Sequence, residues 1–321
     1  MNYRGLTLDA FQQEAIEEIE QGHSVIVSAP TGTGKTLIAD YLIERILEEG
    51  GEVIYTSPIK ALSNQKYRQY VSLFGEERVG LVTSALWSDA NGDGRADLFV
   101  TLEWGPVALF VNNGSQLTDA TKQAGLADRL GWWNSITQAD LDHDGDMDYI
   151  AMNVGLNTKY GTPSAKKPSL LYYGDMEGNG RKRLIEAKRD KKGGLVPVRG
   201  KSCSTHCMPM LGKKFPTYRA FAASILPEIY TEQRLSDAEQ FKATAFESGA
   251  LINDGKGNFT FQPLPRFAQA APGYGVVATD IDGDGLVEVV AVQNMFTREP
   301  ETGLWRGGIG VILEYGADGV F

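Results

Sequence analysis

Two residue patterns in this chain could do chemistry. The first is Ala29-Pro30-Thr31-Gly32-Thr33-Gly34-Lys35-Thr36. Small residues let backbone N–H groups close around phosphates, a lysine reaches the terminal phosphates, and the next hydroxyl can ligate Mg²⁺. Thr31, Gly32, Thr33, Gly34, Lys35 and Thr36 are therefore candidate nucleotide-binding residues, with ATP and Mg²⁺ as the cofactors expected there. The second pattern is acidic and recurs, at Asp89–Asp97, Asp140–Asp148 and Asp280–Glu288. Each copy has oxygen-bearing side chains at offsets 0, 2, 4 and 8 and glycine at offset 5. Alternate positions turn inward round a tight loop, and several hard oxygens together suit Ca²⁺. The candidate ligands are Asp89, Asn91, Asp93 and Asp97; Asp140, Asp142, Asp144 and Asp148; and Asp280, Asp282, Asp284 and Glu288. Any one of these loops could be a charged, solvated turn; the repeated offsets favour a metal. A fourth copy, Asp175-Met176-Glu177-Gly178-Asn179-Gly180, has Arg183 at offset 8 and reads as degenerate and unoccupied.

The elements that must position these residues differ between the two patterns. Ser24–Ser28 is a short β-branched run, expected as a buried strand leading into the glycine loop. A helix is expected from about Lys35 to Glu49, stopped by Gly50 and Gly51, with Glu52–Thr56 and Val79–Thr83 as further strands. The acidic loops are not EF-hands. Offset 11, where that loop needs Glu, holds Val100, Ala151 and Ala291, and strand-forming residues follow each loop. Leu109–Gly114 and Leu251–Gly255 read as strand-plus-turn units, their turns about 27 residues before the next acidic loop. Residues 190–245 break this rhythm as an insertion, with helices expected at Arg219–Leu226 and Asp237–Phe246.

Composition divides the chain in the same place. Residues 1–83 hold 2 Asp and 10 Glu; residues 84–321 hold 18 Asp and 11 Glu, all five Trp, and 29 of the 37 Gly. Glu suits helices, whereas Asp and Gly suit turns between short strands. The expected fold is mixed: a small α/β phosphate-loop fragment over 1–83, then a mainly β part over 84–321 with a helical insertion. The net charge of −10 disfavours a long nucleic-acid surface. Two cysteines in 321 residues exclude a disulfide-dense scaffold. No apolar run is long enough to span a membrane, and the start does not read as a secretory signal, so a cytoplasmic location is expected.

The first part resembles superfamily-2 DExH-box RNA helicases. The likeness is carried by APTGTGKT, by TSPIKALSNQKY at 56–67, and by Leu8–Ile16. It covers about residues 5–83 and implies a RecA-like lobe. By that resemblance Gln12 would read the adenine edge, and Ser57, Pro58 and Lys60 would contact a nucleic-acid backbone; Gln12 alone could equally be a solvated helix residue. After Thr83 the pattern departs from the family. No Asp-Glu-x-His or Asp-Glu-Ala-Asp occurs in the chain, and no segment resembles a second lobe. Hydrolysis in such sites needs acidic residues to hold Mg²⁺ and orient water.

The second part resembles FG-GAP/VCBS-repeat β-propellers of the integrin-α-like group. The three acidic loops carry this, with weaker support from Gly131-Trp132-Trp133-Asn134, Gln262-Pro263-Leu264-Pro265 and Ala270-Ala271-Pro272. Four loops imply about four blades, hence a partial propeller. The resemblance implies a protein or glycan partner; nucleic acid is expected only if the helicase segment were complete. Arg181, Lys182, Arg183, Lys188, Arg189, Lys191 and Lys192 could meet an anionic partner or form a solvated loop. Cys203-Ser204-Thr205-His206-Cys207 could be half a zinc site, a small disulfide loop or two free thiols. The expected whole is a non-enzymatic calcium-binding scaffold joined to an incomplete helicase segment. The alternatives are a helicase-type NTPase and an artificial fusion with no integrated function.

Overall fold

A computed structural model describes residues 2–30, 33–51, 53, 55, 60–75, 79, 84–295, 305–316 and 319–321. The chain divides into two compact units, Met1–Val79 and Gly80–Phe321. No helix among the described residues is long and apolar enough to cross a membrane.

The first unit opens with a hairpin, β1 (Asn2–Tyr3) and β2 (Leu6–Thr7). Three helices follow: α1 (Ala10–Glu20), α2 (Lys35–Glu48) and α3 (Lys60–Phe74). Ala15 and Ile16 of α1 and Ile38 of α2 bury against Tyr3 and Leu8, while the glutamates of α1 face outward. Gly34 starts α2 in the left-handed conformation (φ 75°), which a side chain would strain. Ser24–Ser28 is not a strand. Val25 and Val27 turn into the core while Ile26 is 97% exposed, and no described residue pairs with this run. β-branched residues extend a chain, but only a partner makes a ladder. The expected strands at Glu52–Thr56 and Val79–Thr83 lie largely outside the described residues.

The second unit is built from antiparallel meanders. In the first, β3 (Ser84–Ser88), β4 (Asp97–Thr101), β6 (Val107–Asn112) and β7 (Leu117–Asp119) pair in that order. Between β4 and β6, β5 (Glu103–Gly105) leaves the sheet to pair with β8 (Gly131–Trp132). β9 (Ser135–Ala139) and β10 (Asp148–Met152) then begin a second meander. An excursion intervenes before that sheet resumes. It carries its own sheet, β11 (Ser169–Gly174), β12 (Arg183–Arg189), β13 (Leu195–Pro197) and β14 (Glu239–Ala243), in the order β13-β12-β11-β14. Five helices cover one hydrophobic side of it: α4 (Lys201–Cys207), α5 (Met210–Lys214), α6 (Tyr218–Ala223), α7 (Leu226–Tyr230) and α8 (Glu232–Asp237). β15 (Gly249–Asn253) and β16 (Phe259–Pro263) complete the second meander. The third is β17 (Gly273–Thr279), β18 (Glu288–Gln293) and β19 (Val311–Glu314).

These sheets pack in series. Phe99, Leu109, Trp133, Tyr149 and Leu251 fill the space between the first and second. Ile150, Met152, Ala250, Val289 and Ala291 fill that between the second and third. The sheets follow the repeat expected from the loops, but three expectations need correction. The insertion is the whole segment between Met152 and Gly249, not 190–245 alone. Of Asp237–Phe246 only Asp237, the last residue of α8, is helical; Glu239–Ala243 pairs with β11 instead, because a neighbouring edge overrides local propensity. The fourth loop belongs to the insertion's β11–β12 hairpin, so the described meanders built on acidic loops number three.

Asn153 seals the base of the insertion. Its Oδ1 accepts the Trp132 and Val154 N–H groups at 2.9 and 2.8 Å. Its amide donates to Ala245 O at 3.2 Å, and its own N–H donates to Ser248 Oγ at 2.9 Å. Asn153→Ala strands these buried groups and should cost about 1–3 kcal/mol. Urea unfolding followed by tryptophan fluorescence reads this directly, because all five Trp belong to the second unit. An unchanged midpoint would show that the insertion is held elsewhere.

Candidate functional site

In the first unit the loop–helix junction holds the nucleotide candidates. Thr31 and Gly32 lie outside the described residues, as do Ser57 and Pro58; Lys60 opens α3. Thr33 Oγ1 donates to Pro30 O at 2.8 Å, closing the loop on itself. Lys35 Nζ donates to Ala29 O and, at 2.8 Å, to Pro30 O. The ammonium thus rests on carbonyls that it can exchange for phosphate oxygens. Thr36 is exposed in the first turn of α2. A helix N-terminus, a lysine and a hydroxyl therefore converge where an anion would be favoured.

Gln12 is neither solvated nor free. It is 3% exposed. Its Oε1 accepts the Asp9 N–H at 2.8 Å, and its Nε2 donates to Thr33 O and Gly34 O at 3.3 and 3.0 Å. Both ends of the amide are engaged with backbone, tying the start of α1 to the start of α2. A Cβ at Gly34 would lie 2.8 Å from Gln12 Nε2, so a side chain there would displace the Gln12 amide.

Sequence reasoning missed Asp40. It is buried on α2 and accepts Lys66 Nζ at 3.0 Å, Tyr70 Oη at 2.7 Å and Gln69 Nε2 at 3.3 Å, all from α3. Burial, then the bond to Asp40, hold the Tyr70 phenol well above its ordinary range. The available signal was that Asp40 is one of only two Asp in the first 83 residues and sits amid an apolar helix.

In the second unit each acidic loop joins the first strand of a meander to the second. The carboxylate at offset 8 is buried in all three: Asp97 is 0% exposed, Asp148 1% and Glu288 6%. Each accepts the N–H of its loop's second residue: Ala90 to Asp97 at 3.0 Å, Leu141 to Asp148 at 3.0 Å, Ile281 to Glu288 at 2.7 Å. The other oxygen of Asp97 accepts Asn112 N, and that of Asp148 accepts Asn253 N, both at 2.8 Å. The strand-plus-turn units Leu109–Gly114 and Leu251–Gly255 are thus bound to the loop before them. The inward carboxylates converge in two loops. Ligand oxygens of Asp140, Asp142 and Asp148 lie within 4.8 Å of one another, and so do those of Asp280, Asp282 and Glu288. Asp140 Oδ1 and Asp146 Oδ1 are buried with no hydrogen-bond partner. Burial pushes the Asp148 carboxyl up to about 6; burial and the neighbouring Asp144 and Asp142 raise Asp146.

Loops 89–97 and 175–183 differ. Asp93 pairs with the Arg95 guanidinium, whose Nε donates to Asn112 O at 2.8 Å. Glu177 pairs with Arg183 at 3.0 Å, and Asp175 accepts four backbone N–H groups between Glu177 and Gly180. Of the basic stretch, Lys182 pairs with Glu239 at 3.4 Å and Arg189 caps Gly193 O at 2.9 Å. Cys203 and Cys207 form no disulfide and lie one turn apart on α4, the first buried and the second exposed.

Comparison with known proteins bears on the first unit. Residues 9–129 match the DEAD/DEAH box helicase family. The probable helicase HelY of Mycobacterium leprae is 46% identical over 87 residues, which is 27% of this chain and 9% of that protein. The DExH-box ATP-dependent RNA helicase DExH9 of Arabidopsis thaliana is 54% identical over 85 residues, 26% and 8% respectively. The antiviral helicase SKI2 of Saccharomyces cerevisiae is 50% identical over 76 residues, 24% and 6%. The chain spans less than a tenth of the length of these relatives. Within the family match, residues 84–119 form the first antiparallel meander, whereas the relatives align over 76 to 87 residues.

Asp40→Ala should test how far the helices of the first unit depend on one buried pair. It leaves Lys66 buried and uncompensated, at a cost of about 3–5 kcal/mol. Urea titration followed by helical circular dichroism should show the first unit unfolding earlier. A loss of only about 1 kcal/mol would place the pair with weak surface bridges.

Proposed function

We propose that this chain joins a helicase-type ATP- and Mg²⁺-binding segment to a calcium-dependent β-propeller-type scaffold. The helicase likeness, with the Lys35–Thr36 helix start, supports the first half. Lys35 would leave the carbonyls of Ala29 and Pro30 for the terminal phosphates, and Thr36 would offer its hydroxyl to Mg²⁺. The bound metal would supply charge neutralisation at the phosphates. This chain's own residues bind and orient; they include no Asp-Glu-x-His sequence to hold the metal and position water. Binding without nucleic-acid-stimulated turnover is the function this segment is built for as it stands.

A specific observation favours the second half. Two loops of the same spacing bring three carboxylates together at the start of a core strand. Like charges held that close repel one another, and a divalent cation removes the repulsion while fixing the turn. The face-to-face series of meanders supports the FG-GAP/VCBS propeller reading, in which the loops stiffen a surface that receives a protein or glycan.

Two outcomes follow for the intact chain. ATP should bind weakly and Lys35→Ala should abolish that binding, with no ATP hydrolysis that RNA accelerates; RNA-stimulated turnover lost in Lys35→Ala would overturn this half. Millimolar calcium should raise the melting temperature of the second unit and chelator should lower it. The stabilisation is ~2.7 kcal/mol per site at 100-fold excess over the dissociation constant. Asp142→Ala should remove one site's share, whereas Asp175→Ala should leave the calcium response intact. A melting temperature indifferent to calcium would mean that the acidic loops are solvated turns.

A further inference from the structure

The acidic loops share a spacing but not a charge balance. In loop 89–97 every carboxylate oxygen has a donor. Asp89 accepts Asp93 N and Gly94 N at 3.1 and 2.8 Å, and Asp97 accepts Ala90 N and Asn112 N. Asp93 accepts Arg95 N at 2.9 Å through one oxygen and the Arg95 guanidinium through the other. That guanidinium is also anchored on Asn112 O. A positive charge therefore links the middle of the loop to the third strand of its sheet. Loop 175–183 repeats the device at a different offset. Arg183 grips Glu177 Oε2 through Nε and Nη2 at 3.2 and 3.0 Å, and Arg234 donates to Glu177 O at 3.1 Å.

The other two loops contain no arginine or lysine. In loop 140–148 the groups around Asp146 are further carboxylates, those of Asp144, Asp142, Asp140 and Asp254, and two buried oxygens have no partner. The carboxylates meet within ligand distance in the two loops that contain no arginine or lysine; the three of loop 89–97 are not among the clusters found in the described residues, and loop 175–183 has only two, Asp175 and Glu177.

We propose that Arg95 and Arg183 are built-in counter-cations that close loops 89–97 and 175–183 without metal, leaving loops 140–148 and 280–288 to take the divalent ion. Asp93 is then a salt-bridge residue, not a ligand, although its spacing alone makes it one. This inference rests on the calcium reading above and fixes its stoichiometry. A guanidinium delivers one charge from a fixed stem and cannot leave, so these two loops stay formed when calcium is withdrawn.

Calcium titration of the full chain by isothermal calorimetry, with bound ion counted by equilibrium dialysis, tests it. The wild type should bind two ions per chain. Arg95→Ala should free Asp93 and bind three, with Arg95→Gln as a second, better-filling variant giving the same gain. Asp93→Asn in the wild-type background should leave the count at two. Three ions on the wild type, or no gain in a folded Arg95→Ala or Arg95→Gln protein, would overturn the counter-cation role while leaving the calcium reading standing. No ion bound to any of these proteins would overturn the calcium reading itself, and this inference with it.

Discussion

The second unit depends on a buried carboxylate at the end of each acidic loop. Asp97 and Asp148 each hold two backbone N–H groups, one from the start of the loop and one from the third strand of the sheet. One side chain thus fixes the loop, sets where the second strand begins and aligns the third. A carboxylate at full burial is costly unless its oxygens are bonded, and these are bonded to the very groups whose position they determine. The upward shift of Asp148 records that cost.

The arrangement explains why each loop opens onto a core strand. The strands that follow, Asp97–Thr101 and Asp148–Met152, are buried along their length. Their apolar side chains alternate between the two faces of the sheet, so Phe99 packs toward the second meander while Leu98 and Val100 join a separate cluster. A one-residue slip would reverse both faces and break the carboxylate's bonds. Asn253 extends the tie between sheets, because its amide donates to Ala90 O of the first loop and Met147 O of the second.

The first unit follows another rule. Its strands contribute little among the described residues, and its helices are joined by polar groups. Gln12 ties α1 to α2, and Asp40 ties α2 to α3. A phosphate loop needs its helix start held in place, and both ties end on α2, the helix that carries Lys35 and Thr36. The site is therefore positioned by two buried polar side chains, one of which, Asp40, no motif marks.

Much of this was legible in the sequence. The glycine loop, the helix after it, the periodic acidic loops and the strands after them all depend on neighbours within about ten residues, where turn chemistry and alternation are decisive. What the sequence could not decide was pairing. Ser24–Ser28 has the composition of a strand, yet pairs with no described residue. Asp237–Phe246 has a helical composition, yet supplies a strand because β11 offers an open edge. Leu251–Gly255 pairs with a strand about a hundred residues earlier, across a whole inserted sheet. Spacing likewise gave Asp93 and Asp144 the same expected role. Only the folded loop shows that one faces a guanidinium and the other faces carboxylates, because the charge around a side chain is set by what the tertiary structure brings beside it.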